Sequence, residues 1–284
     1  MSFLLFDIGG TKSRLALTND FKTFTKVDTF KTFNNPAQML NKISDFVQQF
    51  TQNKSLSGIV GGIRGVLDEE KCALSHDAIL TSWVGFNLVE KLAKKFKITV
   101  ILENDTALAG LGETWFGAGQ GVDLVAYHSI STGVGGVKIT SGFIDETSAG
   151  FEPGHQILDI DRTILGSDIS PTLENLVSGR AVEERTGIKP YDIPADDVIW
   201  NELAEYLAQG LRNTILYWSP EIIILGGSMM IGDPKIPLEV VRKETVKVLD
   251  EVVASPFITL AKLGDEAGLY GAMVLAKQRI KTTK

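Results

Sequence analysis

The chain has 284 residues, 44% apolar and 22% charged, which at about 150 residues per domain fits a two-domain globular protein and excludes disordered, collagenous and disulfide-built classes. Its 28 Lys and Arg stand against 35 Asp and Glu, a formal charge of −7, so nothing electrostatic favours nucleic acid or an anionic membrane surface and a small-molecule partner is expected. The one cysteine, Cys72, can form neither an intramolecular disulfide nor a cysteine-based zinc cage. With Asp7 ending the apolar N-terminus and no run near the roughly 18 residues of a membrane span, a cytoplasmic protein is expected.

In chain order, Leu4 to Phe6 and Arg14 to Leu17 read as strands on either side of Asp7-Ile8-Gly9-Gly10-Thr11-Lys12, which puts the glycines at a hairpin tip. Asn35-Pro36 is an N-cap and first-turn pair, and Leu40, Ile43, Val47 and Phe50 follow at helical spacing. Ile59-Val60 leads into Gly61 and Gly62, Leu88 to Phe96 is helical, Ile98 to Leu102 is a buried strand, and Thr106 to Glu113 opens a further helix. This alternation predicts an α/β sheet with parallel strands covered by helices.

Leu124 to Tyr127, the turn Ser131-Thr132-Gly133-Val134-Gly135-Gly136 and Val137 to Ile139 repeat the opening hairpin, so both halves are expected to begin with the same unit. Leu203, Leu207, Leu211 and Ile215 mark a helix face that ends at Ser219-Pro220, before the strand Ile222 to Leu225 and Gly226-Gly227. Leu238 to Val253 and Ala267 to Lys277 read as helices, and Gly117 to Gly121 as a hinge in a two-lobed molecule.

Without Cβ atoms at Gly9 and Gly10, phosphate oxygens could approach the backbone N–H groups of the first turn, with Thr11 adding a hydroxyl and Lys12 a charge. Asp7, at the strand end, could hold Mg²⁺ through water. Ser131 to Gly136 is the second candidate phosphate cradle, with Thr132 and Gly133 as its contacts. Each turn could equally be a plain hairpin, but two in matching positions favour a pair that clamps one triphosphate. Gly226 and Gly227 would let an adenine or ribose lie on the backbone at the carboxyl edge of a sheet.

Glu103-Asn104-Asp105 joins a strand to a helix. Asp105 or Asn104 is then the N-cap, and the helix N-terminus should hold the Asp105 pKa near or below the reference of about 3.9, ready to accept a hydroxyl proton. Glu152-Pro153-Gly154-His155 sets an acid and an imidazole on a turn suited to vicinal sugar hydroxyls. With three histidines (His76, His128 and His155) and no H-E-x-x-H, a histidine metal centre is not expected, and no Walker loop or G-x-S-x-G elbow is present.

Together these motifs, from Asp7 to about Ala272, resemble the ROK family of sugar kinases, repressors and open reading frames. The resemblance implies a two-lobed actin-like ATPase (ribonuclease H-like) α/β fold with an interlobe cleft. Its smaller N-terminal lobe, 1–117, would be completed by a C-terminal helix at 268–284, and the larger lobe would span 118–267. It implies ATP and Mg²⁺ as cofactors and Asp105 as general base. Gly65, Asn104, Glu152, His155 and Glu174 would contact the sugar, and Gly226 and Gly227 would line the adenosine. The implied activity is ATP-dependent phosphorylation of a hexose or N-acylhexosamine hydroxyl, in a homodimer.

The chain departs from the family pattern in three places. Leu165-Gly166-Ser167-Asp168-Ile169-Ser170-Pro171-Thr172-Leu173-Glu174 lacks every cysteine of the usual zinc cluster, so no structural zinc is expected and His155 is released from a metal role. Gly62-Ile63-Arg64-Gly65 has Arg where relatives commonly have Pro, and Ser75-His76-Asp77-Ala78 stands where many have a sugar-contacting Asn before Trp83. The alternative reading, a ROK-type sugar sensor or transcriptional regulator, is disfavoured by a first strand that starts almost at Met1 and by the acidic balance.

Overall fold

The computed structural model describes residues 2–51, 56–145, 147 and 150–280. The chain divides into two compact units: Met1–Trp115 with Glu146–Gly150 and Asp265–Lys284, and Phe116–Asp145 with Phe151–Gly264.

The first unit opens with the hairpin β1 (Ser2–Ile8) and β2 (Lys12–Thr18), followed by β3 (Lys26–Lys31). Phe3, Leu4, Leu5, Phe6 and Ile8 are fully buried, as a continuous apolar run requires when a strand is covered on both faces. Helix α1 (Pro36–Phe50) starts where Asn35 accepts the Ala37 N–H and buries Met39, Ile43 and Phe46, each contributing roughly 1.5–3 kcal/mol of apolar burial.

Next come β4 (Leu56–Ile63), the short β5 (Val66–Leu67) and β6 (Leu74–His76), α2 (Leu88–Phe96), β7 (Val100–Asn104) and α3 (Asp105–Phe116). The sheet order is β3-β2-β1-β4-β7, with β1, β4 and β7 mutually parallel. A C-terminal helix, Ala267–Arg279, packs on β1, β2 and β4. Residues 281–284 of the helix expected at 268–284 lie outside the described residues.

The second unit repeats the plan. It begins with β8 (Leu124–Ile130), β9 (Val134–Thr140) and β10 (Phe143–Ile144), then α4 (Leu173–Val177), α5 (Gly179–Thr186) and α6 (Ile199–Trp218). After these come β11 (Ile222–Gly226), α7 (Ser228–Ile231), α8 (Leu238–Leu249) and β12 (Phe257–Leu260). Its sheet order, β10-β9-β8-β11-β12, has the same sequence of antiparallel and parallel pairings as the first, so the repeat seen in the two hairpins extends to whole sheets.

Helix α6 buries Leu203, Leu207, Leu211 and Ile215 as its spacing predicts, and Ser219 ends it in a left-handed conformation. The helix expected from Leu238 to Val253 stops at Leu249, because Asp250 and Glu251 both take positive φ. No helix among the described residues is long and apolar enough to cross a membrane.

Candidate functional site

In the first unit, parallel register aligns the carboxyl ends of three strands. Asp7 pairs with Gly62 and Gly62 with Glu103, while Ile8 pairs with Ile63 and Ile63 with Asn104. Chemistry-bearing residues of an α/β sheet gather at such an edge. Asn104 is the cap of α3, since its Oδ1 accepts the Ala107 N–H at 3.0 Å, and its Nδ2 donates to the Gly65 carbonyl at 3.1 Å. Gly65 has φ +103° with its backbone against Asp77 and His76, a conformation and a space that no side chain fits.

Asp105 is thereby the first residue of α3 rather than its cap. Among the described residues its hydrogen bonds come only from Thr106, both to Oδ1, and Oδ2 is uncommitted. The expectation of an ordinary or lowered pKa is corrected here: burial raises it, against the charge of Arg64 and the Thr106 bonds. Desolvation by the surrounding fold outweighs the local helix terminus.

Asp7 lies 3.4 Å from Arg14 Nη1, and its carboxyl packs against the backbone of Gly268 in the first turn of the C-terminal helix. Burial and then the charge of Asp105 push it up to about 7, against the pull of Arg14. A buried carboxylate whose proton affinity is raised further by a neighbouring acid is a hard-oxygen setting that a divalent cation would relieve, so Asp7 fits the expected Mg²⁺. Among the described residues no group of three or more His, Cys, Asp or Glu is placed to hold a metal.

At the first hairpin tip the Gly9 N–H is committed to the Lys12 carbonyl at 3.1 Å, while Thr11 and Lys12 are exposed. A methyl group on Gly10 would meet Arg64 Nη1 at 2.8 Å. Arg64 itself pairs through Nε with Asp77 at 2.9 Å, and the other Asp77 oxygen accepts the N–H groups of Ile79 and Leu80. Arg64, Asp77 and Gly268 had no motif to announce them. The signals were two departures from the family pattern: Arg64 where relatives commonly carry proline, and Asp77 within Ser75-His76-Asp77-Ala78, where many carry a sugar-contacting Asn.

In the second unit the predicted residues collect around the β8–β9 turn. Glu174, in the first turn of α4, accepts the Val134 N–H at 2.9 Å through one oxygen and Arg180 Nη2 at 2.9 Å through the other. A methyl group on Gly133 would lie 2.6 Å from that carboxylate. Gly154, in the Pro153–His155 turn, packs under the Val134 carbonyl, and Ser131 faces Ser228 at 3.1 Å. Thr132 is exposed at the tip. His155 Nε2 is 4.0 Å from Glu152 Oε2, with both side chains well exposed. Gly226 ends β11 beneath the Tyr127 ring, and Gly227, at φ +84°, abuts the Ile130 carbonyl, so protein atoms already fill the directions in which their side chains would point.

A family model, described as ROK family, matches residues 4–279. A fructokinase of Lactococcus lactis subsp. cremoris is 30% identical over 259 residues, 88% of this chain and 86% of its own. A ROK family glucokinase from Streptomyces griseus, solved with glucose and AMPPNP, is similar at TM-score 0.77 and 25% identity, covering 97% of this chain and 99% of its own. A ROK hexokinase from Thermus thermophilus shares the fold at TM-score 0.84 and 24% identity, covering 99% of both chains.

Proposed function

Starting from the finding that the chain belongs to the ROK family, we propose that it is a sugar kinase that moves the γ-phosphoryl group of ATP onto a hydroxyl of a hexose or N-acylhexosamine. The observation that carries this reading is Asp105. Its Oδ2 is uncommitted among the described residues, it stands at the carboxyl edge of three aligned strands, and burial raises its proton affinity.

In this reading Asp105 accepts the proton of the acceptor hydroxyl and orients its oxygen for in-line attack. Gly10, Thr11 and Lys12 of the first hairpin and Thr132 and Gly133 of the second hold the nucleotide phosphates, and Gly226 and Gly227 lie along the adenosine. Asn104, Gly65, Glu152, His155 and Glu174 hold the sugar. Asp7 would hold Mg²⁺ through water, and the cation would supply neutralisation of the phosphate charge. Because the transition state is loose, positioning and charge neutralisation supply most of the rate.

A coupled ADP-release screen over fructose, glucose, mannose, allose, N-acetylmannosamine and N-acetylglucosamine, with Asp105→Asn as blank, tests the reading. At least one sugar should drive ADP release in the unmodified chain only. Sugar binding without any release would instead identify a non-catalytic sensor.

A further inference from the structure

Arg64 is held more firmly than a surface arginine, and its partner engages only one of its side-chain donors. Its backbone N–H donates to the Ile8 carbonyl at the end of β1, at 3.0 Å. Its Nε is fixed on Asp77, which is itself pinned by two backbone N–H groups, and the side chain is one-quarter exposed. Among the described residues Nη1 and Nη2 make no hydrogen bond, and Asp77 is the one carboxylate within 4 Å. On one side the guanidinium borders the glycine turn, with Nη1 next to Gly10. On the other its charge reaches Asp105, where it is the leading influence opposing burial.

We propose that Arg64 binds the phosphoryl group in flight, its Nη groups donating to the γ-phosphate oxygens over which the charge is spread in the transition state, between the glycine turn and Asp105. The proposal rests on the kinase reading. In the step it serves, the acceptor oxygen forms a bond to phosphorus as the bond to the bridging β,γ-oxygen breaks. The electron pair leaves on ADP and the acceptor proton passes to Asp105. Guanidinium suits this position because its planar fork presents several donors at once and keeps its charge when partly desolvated. Asp77 is the positioning residue, since it fixes the fork through Nε and leaves both Nη groups for the phosphoryl oxygens.

The test uses the full chain and a sugar that the unmodified enzyme phosphorylates. Arg64→Ala should lower kcat by about 10²- to 10³-fold, in the range seen when a transition-state donor is removed. The KM values for sugar and ATP should stay within about threefold, because the interaction is made in the transition state. Added guanidinium chloride should restore part of kcat in Arg64→Ala and none in Asp105→Asn, a response that a structural role does not give. Should Arg64→Ala fail to fold, Arg64→Lys carries the test through a kcat loss of about tenfold at unchanged KM, since a point charge replaces a fork. Undiminished kcat overturns the proposal. So does a loss confined to sugar KM, which would make Arg64 a ground-state sugar contact. If the unmodified chain shows no sugar-dependent ADP release, the kinase reading itself fails first.

Discussion

Exchanging Asp7 for asparagine removes one charge from the crowded edge of the first sheet while keeping its shape. In the folded chain burial, followed by repulsion from Asp105, pushes this carboxyl from 3.8 to about 7. The folded pKa lies above the unfolded one, so the native state binds the proton more tightly. Asp7 therefore costs nothing at low pH, destabilises the fold increasingly from about pH 4 to about pH 7, and costs its full amount above that. Three units at 1.36 kcal/mol each set a ceiling of about 4 kcal/mol, and with the side chain 13% exposed little of this is lost to solvent screening. Arg14 keeps its 2.6 Å contact with Asp265 in the variant. Urea unfolding without Mg²⁺ should show Asp7→Asn more stable by about 2–4 kcal/mol near pH 8.5, with that advantage smaller by about 2–3 kcal/mol near pH 5. Added Mg²⁺ should stabilise the unmodified chain more than the variant. A stability difference independent of pH would refute the argument.

Asp105→Asn should lower kcat by about 10²- to 10⁴-fold with sugar affinity by calorimetry nearly unchanged; retained turnover would remove Asp105 from the mechanism. His128 is buried, bonded through Nε2 to Thr214 at 3.1 Å and stacked on Trp218, and burial lowers its pKa from 6.5 to about 4. A base held neutral in the native state contributes stability above about pH 6.5 that drains away towards pH 4, about 3 kcal/mol in all. His128→Phe should flatten the unfolding free energy across that window, and an unchanged slope would count against it. Gly227→Ala sets a methyl group against the Ile130 carbonyl at positive φ, and calorimetry should register a loss of about 2–4 kcal/mol.

Much of the architecture was legible because its signals are local. Asn35-Pro36 marks a helix start that needs only its own side chain and a missing N–H, and the glycine turns stand out between apolar runs. Strand β3 was not legible: Lys26, Asp28 and Lys31 leave it no apolar run, and its pairing with β2 supplies what its composition does not. Strand β12 has four residues, too few for a period, and is fixed by its parallel register with β11.

The site divides in the same way. Residues embedded in motifs were visible, whereas Arg64 with Asp77, thirteen positions apart, are joined only by the turn through β5 and β6. The proton affinity of Asp105 was misjudged from its place on the helix because desolvation is set by chain brought in from elsewhere. Glu174 likewise enters the sequence reading only as an expected sugar contact, while the fold commits both its oxygens to Val134 and Arg180.

The helix Ala267–Arg279 lies across β1 and β4 and meets α3 backbone to backbone, where Gly271 abuts the Leu108 carbonyl and Gly112 the carbonyl of Ala267. The piece that seals the first unit is thus translated only after the whole of the second unit. Phe3 to Phe6 and α3 wait unsealed until that helix is made, while the nearly contiguous second unit can close first, so the order of maturation runs against the order of translation.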